Sequence, residues 1–125
     1  MTTPVAAKTI LVLDDSPFVL EVARDALESA GFSVAVAVDL AAFQHARTTT
    51  SPDLILVDVQ MPEAFGDDLA SLLRGAHGVK TPILLVSNLE DGELARRACE
   101  AEVDGWISKR EGVHALVRRV KEVLA

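Results

Sequence analysis

Cysteine and aromatic residues are scarce in this chain of 125 residues. The single cysteine, Cys99, cannot form an intramolecular disulfide, so nothing calls for an oxidising compartment, and we expect it to be a small buried side chain. Four Phe and one Trp are the only aromatics, and no basic cluster is longer than two residues. Nucleic-acid binding depends on stacking and on neutralised phosphates, so we expect no nucleic-acid partner.

The chain also lacks a long apolar run, a secretory signal and any low-complexity segment. A membrane span needs roughly 20 apolar residues, so we expect a soluble, cytoplasmic protein without a membrane partner. Half of the residues are nevertheless hydrophobic, and the formal net charge is −7. These values exclude a disordered chain and predict one folded domain over residues 1–125.

Apolar segments of strand length recur five times, and several are rich in Val and Ile. Continuous apolar runs of this kind are typical of strands buried on both faces of a parallel sheet. The predicted strands are Thr9–Leu13, Ser33–Ala37, Leu54–Val57, Ile83–Val86 and Gly105–Ile107.

Segments with helical periodicity follow the strands. Ser16 and Pro17 predict the start of the first helix, Gly31 its end, and Asp39 and Asp67 the starts of the second and third. The predicted apolar positions are Phe18, Val19, Val22, Ala23, Ala26, Leu27 and Ala30 in the first helix, Leu40 and Phe43 in the second, Leu69, Leu72, Leu73 and Ala76 in the third, Leu94, Ala95, Ala98 and Ala101 in the fourth, and Val113, Leu116, Val117, Val120 and Leu124 in the last. Five strand–helix units predict an α/β fold, a doubly wound parallel sheet of five strands flanked by five helices.

Polar residues stand where the predicted strands end. Asp14 and Asp15 follow strand one, Asp58 follows strand three, Ser87 follows strand four, and Lys109 comes shortly after strand five. Ligands of open parallel sheets bind beyond the carboxyl ends of the strands, so these groups are expected to converge.

Crowded carboxylates repel one another, and that repulsion is commonly relieved by a raised pKa on one of them or by a bound divalent cation. Oxygen ligands without His or Cys favour Mg²⁺, and a phosphoryl group is a natural second ligand for that ion. Lys109 and Ser87 could contact its oxygens while one carboxylate accepts the phosphorus, so an aspartyl phosphate is the leading hypothesis. No GxxxxGK[ST] or GxGxxG motif is present, so nucleotide and flavin binding are poorly supported.

Over nearly its whole length the chain resembles the receiver domain of two-component response regulators. The resemblance lies in the acidic pair with Ser16, in Asp58 within the segment Leu54–Pro62 and followed by Gly66, in Thr81-Pro82 leading to Ser87, and in Lys109. Successive site residues from Asp15 are separated by 43, 29 and 22 positions. The resemblance implies a flavodoxin-like sheet of strand order 2-1-3-4-5 and a single-domain regulator similar to chemotaxis regulators, unless the chain is one domain of a longer protein.

The resemblance also implies a role for each matching residue. Asp58 would be the phosphoacceptor and take phosphate from a sensor histidine kinase or a phosphotransfer protein. The implied Mg²⁺ ligands are Asp14, Asp15, Asp58 and the backbone carbonyl of Gln60. The resemblance implies that Ser87 and Lys109 contact the phosphoryl oxygens and that Ser87 and Trp106 are the switch residues. The residues implied to tune access to the site and the lifetime of the phosphoryl group are Gln60, Asn88 and Leu89. A changed face on helix four, strand five and helix five would bind a downstream protein.

Three residues depart from the family pattern. Asn88 stands where a small residue is usual, which predicts restricted access for the phosphoryl donor. Trp106 replaces a commoner Tyr or Phe, and its indole is as compatible with a fixed aromatic as with a moving one. Arg110 replaces a Pro that is usually in a cis peptide bond, so we expect a trans bond here and a different direction for Lys109.

These departures keep two functions open. The first is a phosphoacceptor of a two-component phosphorelay, which accepts and can hydrolyse its own phosphate without being a classical enzyme. The alternative is a phosphorylation-independent pseudo-receiver that serves as an interaction module. A phosphatase is disfavoured because Asp14 and Asp15 are adjacent and do not form a DxD arrangement. His45, His77 and His114 are expected to be solvated and away from the site.

Overall fold

The computed structural model describes residues 7–61, 66–75 and 78–125. Strands and helices alternate along these ranges, and a short 3₁₀ helix, Lys109–Glu111, precedes the last helix. The strands are β1 (Thr9–Leu13), β2 (Ser33–Ala37), β3 (Leu54–Asp58), β4 (Ile83–Ser87) and β5 (Gly105–Ser108), and the helices are α1 (Pro17–Ser29), α2 (Leu40–Thr50), α3 (Gly66–Gly75), α4 (Asp91–Glu100) and α5 (Val113–Leu124).

All five strands are parallel and lie in the order β2-β1-β3-β4-β5, which confirms the predicted fold class and strand order. Strands β3, β4 and β5 each extend one residue beyond the predicted end. Asp58 lies beside Val86 in the register, and Ser87 lies beside Ser108. The predicted site residues therefore share the carboxyl edge of the sheet.

Two apolar layers cover the sheet. Helices α2, α3 and α4 pack on one face through side chains such as Phe43, Leu73 and Leu94. Helices α1 and α5 cover the other face through Leu27 and Val120. Alternate residues of the central strands enter opposite layers, which explains why these strands are apolar throughout.

The predicted helix ends agree with the structure where it describes them. The Ser16 hydroxyl accepts a hydrogen bond from the N–H of Val19 (3.3 Å), and the Asp39 carboxylate accepts one from Ala42 (2.8 Å). Gly31 follows α1 with a φ of 99°, a conformation that glycine adopts without strain. Asp67 lies within the first turn of α3, whereas Pro62, Ala76 and His77 fall outside the described residues.

Several predicted burial assignments are wrong. Cys99 is exposed because Leu94 and Ala98 form the inner side of α4, and the next residue after Ala98 turns about 100° away from it. Ala95 is exposed for the same reason. In α1 the buried residues are Leu20, Ala23 and Leu27, whereas the predicted core residues Phe18 and Val22 are 74% and 39% exposed. Leu72 of α3 is also 50% exposed, since Leu69 and Leu73 supply the contacts with the sheet.

The helices of the described ranges are short. Even α1, with 13 residues, is only about 20 Å long, and none of the described helices is long and apolar enough to cross a bilayer. His45 on α2 and His114 on α5 are both exposed, as predicted.

Candidate functional site

Three carboxylates meet where β1 and β3 end. One oxygen from each of Asp14, Asp15 and Asp58 lies within 4.8 Å of the other two. Asp14 and Asp58 are buried, whereas Asp15 is exposed. Asp14 and Asp58 are therefore enclosed by the protein, whereas Asp15 places one side of the cluster in contact with solvent.

Backbone groups orient both buried carboxylates. The N–H of Ser16 donates to Asp14 Oδ1 at 2.9 Å, and the N–H of Gln60 donates to Asp58 Oδ1 at 3.2 Å. Gly66 packs directly behind Asp58, with its own N–H bonded to the carbonyl oxygen of Val59 at 2.9 Å. Each carboxylate thus has one oxygen tied to the chain and a second oxygen facing the shared space.

Lys109 supplies the positive charge of the cluster. Its Nζ lies 2.7 Å from Asp14 Oδ2 and 3.5 Å from Asp58 Oδ2. The peptide bond before Arg110 is trans, as expected for a residue other than Pro. The trans bond nevertheless leaves the lysine pointing into the site, with its ammonium beside the carboxylates of Asp14 and Asp58. The expectation of a different direction for Lys109 finds no support in these distances.

The environment shifts two pKa values in the site. Burial raises the pKa of Asp58 from 3.8 to about 6; the charge of Lys109 lowers it, and the charge of Asp14 adds to the rise. Burial alone would lower the pKa of Lys109, but the hydrogen bond to Asp14 and the charge of Asp58 outweigh it, so the net pKa is raised. At neutral pH the lysine is therefore charged and most of Asp58 is ionised.

Ser87 and the residues that follow it lie at the same carboxyl edge of the sheet as the carboxylates. Ser87 is fully buried, and its hydroxyl accepts a hydrogen bond from the N–H of Leu89 at 3.2 Å. Asn88 is exposed at the surface of the same loop, and Leu89 is half-buried against the core. Trp106 on β5 is half-buried and packs on the layer that contains α4. Ser87 and Trp106 thus lie on adjacent strands, and Trp106 is paired with Leu85, two residues before Ser87.

An apolar cavity of about 210 Å³ extends from Asp58 and Lys109 between α1 and α5. Phe18 and Val22 line it, which explains why these residues are exposed although they follow the apolar pattern of α1. Helical periodicity does not predict this cavity, because it does not distinguish a buried side chain from one that lines an open groove.

The donor set fits a hard divalent cation. Three carboxylates against one ammonium leave two negative charges unbalanced in a largely buried place, and carboxylate oxygens are the ligands that Mg²⁺ prefers. The exposure of Asp15 leaves room for the waters that Mg²⁺ retains. The site therefore has the charge and the ligands for Mg²⁺, together with a lysine and a buried hydroxyl at its edge.

The model of the response regulator receiver domain matches residues 10–121 of this chain. The chain belongs to this family. Receiver domains are signalling modules that carry a phosphoacceptor, generally bind Mg²⁺ at an acidic pocket, and interact with histidine kinases and downstream effectors. They are not classical enzymes.

Individual relatives agree with the family match. The transcriptional regulatory protein PrrA of Mycobacterium tuberculosis is 32% identical over 124 residues, which is 99% of this chain and 53% of the relative. The receiver domain spans about half the length of the curated relatives it matches. Among solved structures, the chemotaxis protein CheY4 of Vibrio cholerae superposes with a TM-score of 0.85 at 25% identity, covering 94% of this chain and 99% of that one. The signal receiver domain of a histidine kinase from Syntrophus aciditrophicus is 31% identical, with a TM-score of 0.81 and coverage of 94% and 90%.

Proposed function

We propose that Asp58 of this receiver domain accepts a phosphoryl group from a histidine kinase or phosphotransfer protein in the cytoplasm. The observation that carries the proposal is the position of Lys109, whose ammonium lies within 3.5 Å of both buried carboxylates. Asp14 and Asp15, together with Asp58 and the backbone carbonyl of Gln60, would hold Mg²⁺. Bound there, the ion would neutralise charge on the transferring phosphoryl oxygens.

The chemistry assigned to the chain's own residues is a displacement at phosphorus. An ionised Asp58 oxygen forms the new bond to phosphorus while the bond from phosphorus to the donor's imidazole nitrogen breaks, and the electron pair leaves with that nitrogen. Because its pKa is about 6, Asp58 is mostly ionised at pH 7 and available as a nucleophile. Lys109 and Ser87 would then contact the phosphoryl oxygens.

The proposed response to phosphorylation involves β4, β5 and the helices beside them. Ser87 would turn its hydroxyl toward the phosphoryl group, and Trp106 on the neighbouring strand would report or follow the change. The face formed by α4, β5 and α5 would bind the downstream protein, whereas the apolar groove beside Phe18 is suited to the donor because it opens next to Asp58.

A pseudo-receiver that only binds partners remains the alternative, and the assembled carboxylates and lysine argue against it.

Phosphorylation of the isolated chain tests this function. With Mg²⁺ and acetyl phosphate we expect the intact mass to rise by one phosphoryl group, and hydroxylamine to remove that group because it is an acyl phosphate. The same incubation with EDTA should show no gain. Absence of a gain with Mg²⁺, under conditions in which a known receiver domain is phosphorylated, would favour the pseudo-receiver.

Mg²⁺ alone should stabilise the folded chain. A ligand that binds only the native state at about 100 times its dissociation constant adds roughly 2.7 kcal/mol, which raises the unfolding temperature by several degrees. Thermal unfolding with and without Mg²⁺ measures this shift. Asp15→Asn removes an exposed ligand without disturbing the core, so it should reduce the shift, whereas the exposed Asp25→Asn on α1 should retain it. An equal shift in the parent and the Asp15 variant would exclude Asp15 as a ligand.

A further inference from the structure

Arg110 connects two segments that follow neighbouring strands. Its Nε donates to the Ser108 hydroxyl at 3.2 Å, and its Nη2 donates to the Leu89 carbonyl oxygen at 3.2 Å and to the Asp91 carboxylate at 3.3 Å. Ser108 ends β5, Leu89 lies between β4 and α4, and Asp91 begins α4. One guanidinium therefore bridges the end of β5 and the segment that carries Ser87 into α4.

Leu89 joins this bridge to the buried hydroxyl of Ser87. Its N–H donates to Ser87 Oγ, and its carbonyl oxygen accepts from Arg110. The two peptide groups that flank Leu89 thus lie between the hydroxyl and the arginine. Ser87 cannot turn toward Asp58 and keep its bond to the Leu89 N–H unless the segment moves with it.

We propose that Arg110 is a positioning residue that restrains the segment Ser87–Asp91 in its phosphoryl-free arrangement and thereby opposes switching. The inference rests on the proposed function, because the restraint matters only if Ser87 moves when Asp58 carries a phosphoryl group. Arg110 does not contact the carboxylate cluster itself; in the described residues its hydrogen-bond partners are Ser108, Leu89 and Asp91.

The restraint is weak enough to be reversible. The Arg110 and Asp91 side chains are 53% and 66% exposed, and exposed ion pairs contribute little to stability. Releasing such contacts shifts a two-state equilibrium by about two- to fivefold. We therefore expect Arg110 to tune the response and not to determine whether the site binds phosphate.

Affinity for beryllofluoride, a phosphoryl mimic, tests the restraint. In the presence of Mg²⁺, Arg110→Met should bind beryllofluoride about two- to fivefold more tightly than the parent by titration calorimetry, and Arg110→Lys should fall between them. Loss of a positive charge near an anion would by itself weaken binding, so tighter binding cannot come from the change in charge. Affinity for Mg²⁺ alone should be unchanged, which a general disturbance of the site would not allow.

Arg96→Met is the matched control, because Arg96 is 54% exposed and pairs only within α4 among the described residues. It should bind beryllofluoride like the parent. If the parent binds beryllofluoride and Arg110→Met binds it equally or more weakly, the restraint is refuted while the proposed function stands. If the parent does not bind beryllofluoride with Mg²⁺, both the proposed function and the restraint are refuted.

Discussion

Asp58→Asn should abolish phosphoryl uptake from acetyl phosphate. An amide nitrogen or oxygen is a far poorer nucleophile than a carboxylate, and the substitution keeps the shape of the side chain, so the loss would come from chemistry and not from misfolding. Intact mass after incubation with Mg²⁺ and acetyl phosphate measures the result. The exposed Asp25→Asn on α1 should be phosphorylated like the parent. A phosphorylated Asp58 variant would place the acceptor elsewhere.

The same substitution should stabilise the metal-free protein at neutral pH. Because burial raises the pKa of Asp58 to about 6 from 3.8, the native state holds this proton more tightly than the unfolded state does. The stabilisation from the proton is complete below about pH 4 and is lost as the pH rises through 6. At pH 7 the charged carboxylate therefore lowers the free energy of unfolding by up to about 3 kcal/mol, since one pKa unit corresponds to about 1.36 kcal/mol.

Urea unfolding in EDTA between pH 4 and pH 7 measures the effect of the charged Asp58 carboxylate on stability. The free energy of unfolding of Asp58→Asn should exceed that of the parent above pH 6, and the two should converge near pH 4. Mg²⁺ should reduce the difference at pH 7, because the ion stabilises the ionised carboxylates of the parent. Parallel curves for the two proteins would show that burial of Asp58 is not destabilising.

Gly66→Ala should damage both stability and phosphorylation. A Cβ at this position would overlap the carbonyl oxygen of Asp58 and lie 2.6 Å from Val57 Cγ1. Backbone cannot yield as a flexible side chain does, so we expect a loss of about 1–3 kcal/mol or more, together with displacement of the phosphoacceptor. The free energy of unfolding, measured in urea, and the initial rate of phosphorylation by acetyl phosphate should both fall.

Gly92→Ala provides the control for this substitution. Gly92 lies in α4 with nothing within 4 Å of an added Cβ, so alanine should be neutral or stabilising by less than about 1 kcal/mol. Phosphorylation of the Gly92 variant should match the parent. If Gly66→Ala retained full stability, the close approach of α3 to the end of β3 would not be required for the site.

The strand–helix order and the chemistry at the strand ends could be predicted from the residues alone. Continuous Val- and Ile-rich runs identify buried parallel strands, and parallel strands place all their carboxyl ends at one edge. The acidic pair at residues 14 and 15, Asp58 and Ser87 could thus be assigned to one edge of the sheet from the sequence. Ser16 and Asp39 were likewise recognisable as helix starts, because capping depends on atoms two or three residues away.

Which apolar side chains are buried, and where the Lys109 side chain lies, depended on the tertiary structure. Phe18 and Leu72 both belong to the predicted apolar stripes of their helices, yet they are exposed, because periodicity states which residues share a side and not whether another element covers that side. Lys109 is separated by 51 positions from Asp58, and only the folded chain brings its ammonium to 3.5 Å from that carboxylate. The raised pKa of Asp58 and the contacts of Arg110 with Leu89 and Asp91 have the same origin. They are properties of groups distant in sequence and close in space, and local patterns carry no information about them.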